Sequence, residues 1–309
     1  MHAVASLQSK YAFEGLLYDA VLECNPDLLD SLPIGKVVGN SSQTLRQCKD
    51  PKVFFSALDQ NAIPHPEVSY ESIQDPTDSW LVKHTISSGG TGICVYVEDE
   101  TSGKSIYFQR KIDGVSFSLT FLANGDELKP IGFNTLWCET LGESMPYAYA
   151  GAITSVDLTE QQRYTTINYA TALAREFKLV GLNSIDCILS GDGIYVLEIN
   201  PRIPATYELY ETKQGDLMKE HVEACVSAKL AATQRKQLLR AHAIVYAPQL
   251  IRVPASLDWP LWTADRPHQE EVIHKYEPVC SVFAGGKNVA QVREMIHTRK
   301  KTIIRKLMH

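Results

Sequence analysis

The 309-residue sequence predicts a mixed fold of the α+β or α/β class. Strand and helix signals alternate from the start. Strand signals after residue 80 come in pairs joined by glycine-containing loops, and one long amphipathic helix pattern precedes the last such pair. With 44% apolar and 21% charged residues, the composition is that of a globular protein and not of a disordered or membrane-embedded chain. A chain of this length buries roughly three-quarters of its unfolded surface, enough for two or three lobes.

A net charge of −6 speaks against a nucleic-acid partner, because phosphate neutralisation needs clustered lysine and arginine. The one basic cluster, Arg299, Lys300 and Lys301 with Arg305 and Lys306, reads as a solvated helix face. Cys24, Cys48, Cys94, Cys138, Cys187, Cys225 and Cys280 are odd in number and never spaced CxxC, so reduced thiols are expected. No apolar run approaches the roughly 18 residues of a membrane span, and no basic-then-apolar signal opens the chain. The expectation is a cytoplasmic protein with no membrane partner.

In order, GLLYDAVLE reads as a strand, Asn25-Pro26-Asp27 caps the short helix DLLDSL, and KVVGN is a short buried strand. A helix over about 50–61 follows Asp50-Pro51, with Val53, Phe54, Ala57 and Leu58 on its apolar stripe. WLVKHTI, the loop SSGGTG and ICVYVE form a glycine-tipped hairpin. Strands continue over 106–122, with Asp113-Gly114 as a turn or a crossing between lobes. Thr159 and Gln162 make a capping box opening a helix whose stripe is Ile167, Ala170, Ala174 and Phe177. GLNSIDCIL and IYVLEIN are strands joined through SGDG, HAIVYAP is strand-like, and DWPLWTADRP is irregular.

Three oxygen donors carry a meaningful spacing: Asp186, Glu198 and Asn200. Glu198 and Asn200 are two apart in a strand and share a face. If the hairpin closes through the three residues 191–193, Asp186 lies opposite Glu198 on that face; a four-residue loop would turn it away, so the register decides. Two carboxylates and an amide make a hard-oxygen site suited to Mg²⁺, with Mn²⁺ as a substitute. Arg202, at the next same-face step, is suited to steadying a transferred phosphoryl group or a tetrahedral intermediate. The bland alternative is a hairpin with solvated acids.

Lys83 lies in a strand just before Ser87, Ser88, Gly89, Gly90, Thr91 and Gly92, a loop whose N–H groups and hydroxyls can close over phosphate oxygens. SGKS at 102–105 is not a P-loop, since Glu98 stands where that motif needs glycine. No HExxH, GxSxG or Cys–His zinc spacing is present.

The order of Lys-strand, Ser/Gly-rich loop, a strand ending in QRKIDG, and then D-x11-E-x-N-P-R resembles the ATP-grasp superfamily over roughly residues 35–215. The resemblance implies an ATP-grasp fold, two α+β lobes clamping ATP: a shortened pre-ATP-grasp segment (1–48), lobe 1 (49–107), lobe 2 with the metal site (108–235) and a C-terminal extension (236–309). By position it makes Asp186, Glu198 and Asn200 the Mg²⁺ ligands and Arg202 a catalytic arginine alongside Asn200. Lys83 and the loop 87–92 become the phosphate-binding parts. Arg110, Lys111 and Ile112 lie on the segment that reads adenine through backbone groups, and Lys52 stands near a further phosphate-binding lysine. Gln109 and Ser116 replace the glutamates many members use for the adenine amine and the ribose, and Ser184 replaces an arginine of some carboxylate–amine ligases.

The implied activity is an ATP- and Mg²⁺-dependent ligase that joins a small-molecule carboxylate to an amine through an acyl phosphate. GFNTLWC, PYAYAGAI, GLNSIDCIL and DWPLWTADRP further resemble ATP-grasp proteins of bacteria that use methanopterin-type one-carbon cofactors, with the tyramine–glutamate ligase of methanofuran biosynthesis as a more distant relative. Tyr147, Tyr149, Tyr207, Tyr210, Trp259 and Trp262 are candidates for an acceptor pocket or for ordinary packing, and His221 is more often structural than a base. The short first segment leaves three readings: completion by a homodimer partner, a dispensable part, or a misplaced chain start. The rival functional reading is a non-catalytic ATP-grasp scaffold that binds nucleotide or a partner protein.

Overall fold

The computed structural model describes residues 15–31, 36–71, 73, 80–96, 105–230 and 237–308. Of the SGKS segment only Ser105 is among them. The first segment holds less strand than its sequence suggests. Leu16 and Val37 form one parallel bridge, with Leu16 N donating to Lys36 O and Val38 N to Leu16 O. The rest of GLLYDAVLE turns into α1 (Ala20–Glu23), where alanine, leucine and glutamate favour helix over strand. Two helices follow, α2 (Pro26–Ser31) and α3 (Ser42–Lys49). α3, unanticipated from the sequence, is opened by Ser41, whose side chain accepts from Thr44 N.

Asp50 is the cap between α3 and α4 (Pro51–Gln60), accepting from the Lys52 and Val53 N–H groups. The buried stripe of α4 is Phe54, Phe55, Ala57 and Leu58. Val53, expected on it, is exposed, because two buried phenylalanines rotate the packed face. β1 (Val68–Ser69), β2 (Trp80–His84), β3 (Ile93–Val95) and β4 (Ile106–Arg110) form the antiparallel sheet of lobe 1 in the order β1-β4-β2-β3. Its outer face carries Trp80, Val82 and Phe108; its inner face carries Lys83 and Tyr107, cross-strand partners.

The second sheet has eight antiparallel strands: β5 (Val115–Asn124), β6 (Leu128–Glu139), β7 (Ala148–Ile153), β8 (Val180–Ser190), β9 (Gly193–Asn200), β10 (Arg240–Tyr246), β12 (Thr263–Ala264) and β14 (Pro278–Gly285). Their order is β12-β14-β10-β7-β6-β5-β8-β9, and β11 (Ile251–Arg252) with β13 (Val272–Ile273) forms a separate ribbon. Alternation along β5 and β8 splits the sheet into two chemistries. One face presents Phe117, Leu119, Phe121, Ile185 and Cys187 to α4 and α5 (Glu160–Glu176), the helix opened by the Thr159–Gln162 capping box. Truncating one of these fully buried phenylalanines to alanine costs about 3–5 kcal/mol. The opposite face presents Ser116, Ser118 and Thr120 beside Ile188, Asp186 and Ser184.

The segment after 236 is not an appendage to this sheet. β10 pairs directly with β7, at Ala241↔Ile153, His242↔Ala152 and Ala243↔Gly151, so lobe 2 and the C-terminal strands are one sheet. The last helix, α7 (Val289–Met308), packs Val292, Ile296, Ile303 and Leu307 against β10 and β14. The basic run is therefore only partly solvated. Arg299 lies 5.0 Å over the Trp262 ring, and Lys300 pairs with Glu139, while Lys301 remains exposed. No helix among the described residues is long and apolar enough to cross a membrane.

Candidate active site

The carboxylate pair depends on one extra residue. β8 and β9 are joined by the two-residue turn Gly191-Asp192, since Ser190 pairs with Gly193. Gly191 sits at φ +55°, a left-handed conformation glycine takes without steric cost. Continued regularly, this turn would set Asp186 opposite Leu197. A bulge takes up Leu197, so Cys187 pairs with Val196 and Asp186 with Glu198. The shared face, which the sequence makes conditional on an odd-length connection or a bulge, is reached through a two-residue turn and a bulge. Leu197 and Glu198 both line the cleft that results.

That cleft, open to solvent, lies between the inner face of lobe 1 and the end of β9. Lys49, Phe54, Lys83, Tyr107, Glu198 and Asn200 are among its walls, with the loop 87–90 above. Asn200 is buried and donates Nδ2 to Asp186 Oδ2 at 3.1 Å and to Ser184 Oγ at 3.3 Å. Burial, with the charge of Glu198 next to it, pushes the Asp186 carboxyl up to about 8. Burial works the same way on Glu198, but Lys49, Lys83 and Arg202 outweigh it and hold that carboxyl below its ordinary value. Of the two, Asp186 is the carboxyl that more readily holds a proton.

This donor set fits a divalent cation. Two carboxylates and an amide oxygen are hard ligands, and a cation that displaces the Asp186 proton relieves the repulsion that keeps it there. Among the described residues no group of three or more His, Cys, Asp or Glu could hold a metal, so the protein supplies no more than the one or two carboxylates typical of Mg²⁺.

Arg202 reaches this cluster with Nη2, which donates to Asn200 Oδ1 at 3.1 Å, while its Nε donates to Glu23 Oε2 at 2.7 Å. The other Glu23 oxygen faces Lys49 Nζ at 3.0 Å. The elbow Asn200-Pro201-Arg202 is itself clamped, since Asn40 Nδ2 donates to Pro201 O at 2.9 Å and Tyr18 OH to the same oxygen at 3.3 Å. Lys83 is buried and donates to Gln109 Oε1 at 3.1 Å; Gln109 Nε2, equally buried, has no hydrogen-bond partner among the described residues.

The loop 87–92 is folded onto lobe 2. Ser87 Oγ donates to His84 O and Thr91 Oγ1 to Ser88 O, each at 3.0 Å, and Tyr149 N donates to Gly89 O at 2.8 Å. Gly90 has φ +74°, and a Cβ there would come within 1.9 Å of Tyr147 O. Gly92 packs against Ser87 in the same way, with a Cβ 2.6 Å from its Oγ.

Several expected site residues stand apart from this cluster. Lys52 is exposed, with Nζ 5.3 Å over the Tyr70 ring, outside the cleft; Lys49, one turn earlier, is the lysine that enters it. Arg110 stacks on Trp80 on the outer face of lobe 1, and its N–H is taken by Glu67 O. Lys111 pairs with Asp113 at 3.4 Å, Ile112 is half-buried between the lobes, and Ser116 shares the Asp186 face one step along β5. Trp259 and Trp262 pack on the C-terminal core and not in the cleft. Tyr149 is on the site face and bonds His242 Nε2 at 2.6 Å, and Tyr210 bonds Asn134 Oδ1 at 2.8 Å. His221 is structural: Nδ1 accepts from Leu182 N, so Nε2–H donates to Val38 O. Glu23 and Lys49 carried no motif, and only a tertiary contact brings them to Arg202.

Residues 48–206, half of the chain, match the family profile of the ATP-grasp domain. An uncharacterised protein of Methanocaldococcus jannaschii is 23% identical over 264 residues, covering 80% of this chain and 63% of its own length. The tyramine–L-glutamate ligase of the same organism is 24% identical over 194 residues, covering 62% of this chain and 54% of its own. The chain thus spans less than two-thirds of these relatives. The biotin carboxylase domain of Hydrogenobacter thermophilus 2-oxoglutarate carboxylase, solved with MgADP, ADP and bicarbonate, superposes with TM-score 0.73 at 12% identity over 97% of this chain and 76% of that one. With Glu198, the buried lysine and the glycine loop lining one cleft, the chain belongs to the ATP-grasp domain family.

Proposed function

We propose that this protein joins a small-molecule carboxylate to an amine with conversion of ATP to ADP and phosphate, by way of an acyl phosphate. The observation that carries the reading is the facing of Asp186 and Glu198, with Asn200 and Arg202 hydrogen-bonded behind them. Bound Mg²⁺ would neutralise triphosphate charge, and Asp186, Glu198 and Asn200 are the residues to hold it. Lys83 and Lys49 supply point charges toward the phosphates, and the loop 87–92 excludes water from them. Arg202 offers a guanidinium, fixed in place before any ligand arrives, to the negative charge that develops on the reacting groups.

For the substrates we propose an amide bond in a one-carbon carrier of the methanofuran or methanopterin type. Support comes from the segments GFNTLWC, PYAYAGAI and DWPLWTADRP and from the similarity to tyramine–L-glutamate ligase. ADP release from ATP and Mg²⁺ is the test, measured with a panel of carboxylates and of amines including tyramine and amino acids. Release that requires both partners, and vanishes in Asp186→Ala/Glu198→Ala, is expected. Release that never exceeds that double variant would leave a nucleotide-binding scaffold. Arg202→Ala should lower kcat on the order of 100-fold with nucleotide binding changed only a few-fold.

A further inference from the structure

Glu23 is fully buried, the costliest place for a carboxylate, and it lies in a four-residue helix with no motif of its own. Both of its oxygens face cations. Oε2 accepts from Arg202 Nε at 2.7 Å, and Oε1 meets Lys49 Nζ at 3.0 Å. Through Arg202 the contact continues to Asn200 Oδ1, and through Asn200 Nδ2 to Asp186. Lys49 lines the cleft beside Glu198.

Two cations so close to two carboxylates have an alternative. Without an anion behind them, Arg202 and Lys49 would move onto Asp186 and Glu198 and occupy the oxygens a metal ion needs. A carboxylate on the far side of both cations removes that drive, and a fixed guanidinium is worth more to a transition state than one that must first reorient.

We propose that Glu23 is a positioning residue: it draws Arg202 and Lys49 back from the acid pair and fixes both toward the cleft, so that the first segment completes the active site without touching substrate. This rests on the ligase reading given above.

The full-length protein provides the test, with Glu23→Gln, which keeps the shape and removes the charge, in a cycle with Arg202→Ala. For ADP release, Glu23→Gln should lower kcat on the order of 100-fold and weaken the affinity for Mg·AMP-PNP by at least about tenfold, because the released cations compete for the metal's oxygens. Added to Arg202→Ala, it should cost well below the roughly 100-fold it costs alone, because only the Lys49 contact is then left to lose. Glu23→Asp, which keeps the charge, should recover part of the lost kcat. Losses that multiply in the double variant, or a lowered melting temperature with kcat and affinity unchanged, would overturn the proposal. If Glu23→Gln does not fold, Glu23→Asp enters the same cycle, and multiplied losses again overturn it. If the wild-type protein releases no ADP with any substrate, the ligase reading fails by itself. The ¹⁵N resonance of Arg202 Nε then decides: a slowly exchanging proton lost in Glu23→Gln supports the role, and an unchanged one refutes it.

Discussion

Asp186 and Glu198 face each other across β8 and β9 because the strand between them and the Gly191-Asp192 turn holds one residue more than its partner, Leu197. Their closeness is a cost to the folded protein in the absence of a cation, for burial and like charge both disfavour the charged form of Asp186. Asp186→Asn should therefore melt no lower than wild type without Mg²⁺, and turn over at least about 100-fold more slowly with it. Calorimetry of the metal-free protein together with ADP release reads both.

The docked glycine loop makes a position-specific prediction. Gly90→Ala sets a Cβ against Tyr147 O, so the loop must lift from β7, whereas the same change at Gly89 meets open space and costs only the left-handed backbone, roughly 1 kcal/mol. Gly90→Ala should show faster proteolysis at 87–92 and a kcat lowered at least about tenfold. Gly89→Ala should stay near wild type in both.

Lys49 and Lys52 are separable by experiment. Lys49→Ala should raise the KM for ATP by at least about tenfold, through loss of a charge-assisted contact inside the cleft. Lys52→Ala, whose side chain rests on Tyr70, should leave it within about twofold.

This last contrast shows where sequence and structure part. Asp186, Glu198, Asn200 and Arg202 were legible because they sit within one hairpin, where alternation assigns faces. The strand pairs at 80–95 and 180–200 were legible for the same reason. Lys49 and Glu23 were not, since no local period links a residue in α1 to Arg202, some 180 positions away. The bulge at Leu197 had no signature either: leucine suits both regular and bulged strand, and only the fixed two-residue turn reveals the mismatch. The strand readings of GLLYDAVLE and KVVGN failed because an apolar run there pairs through a single bridge and then yields to helix-forming residues.

Stability should fall with acid through a buried histidine that bonds a tyrosine of the site face. His242 is buried against Tyr149 and Phe283, and burial pushes it down to about 4. The unfolded chain, at about 6.5, binds the proton first, so the contribution is full above pH 6.5 and is lost as pH falls toward 4. His221 is displaced in the same direction by burial. The loss should approach about 3 kcal/mol for His242 at the acid end of that window. Urea unfolding at pH 7 and pH 4.5 should show it, and His242→Gln should flatten the slope between them.

The pairing of β10 with β7 bears on how the chain is made. Lobe 2 presents β7 as an open edge until residues 240–246 emerge from the ribosome, and β10 is in turn an open edge until β14 arrives at 278–285. An unpaired edge is a template for joining other chains. A nascent polypeptide released at residue 206, where the family profile ends, would hold Asp186, Glu198, Asn200 and Arg202 and still expose that edge. Covering both edges in turn therefore takes synthesis through residue 285, about 80 positions beyond the cluster.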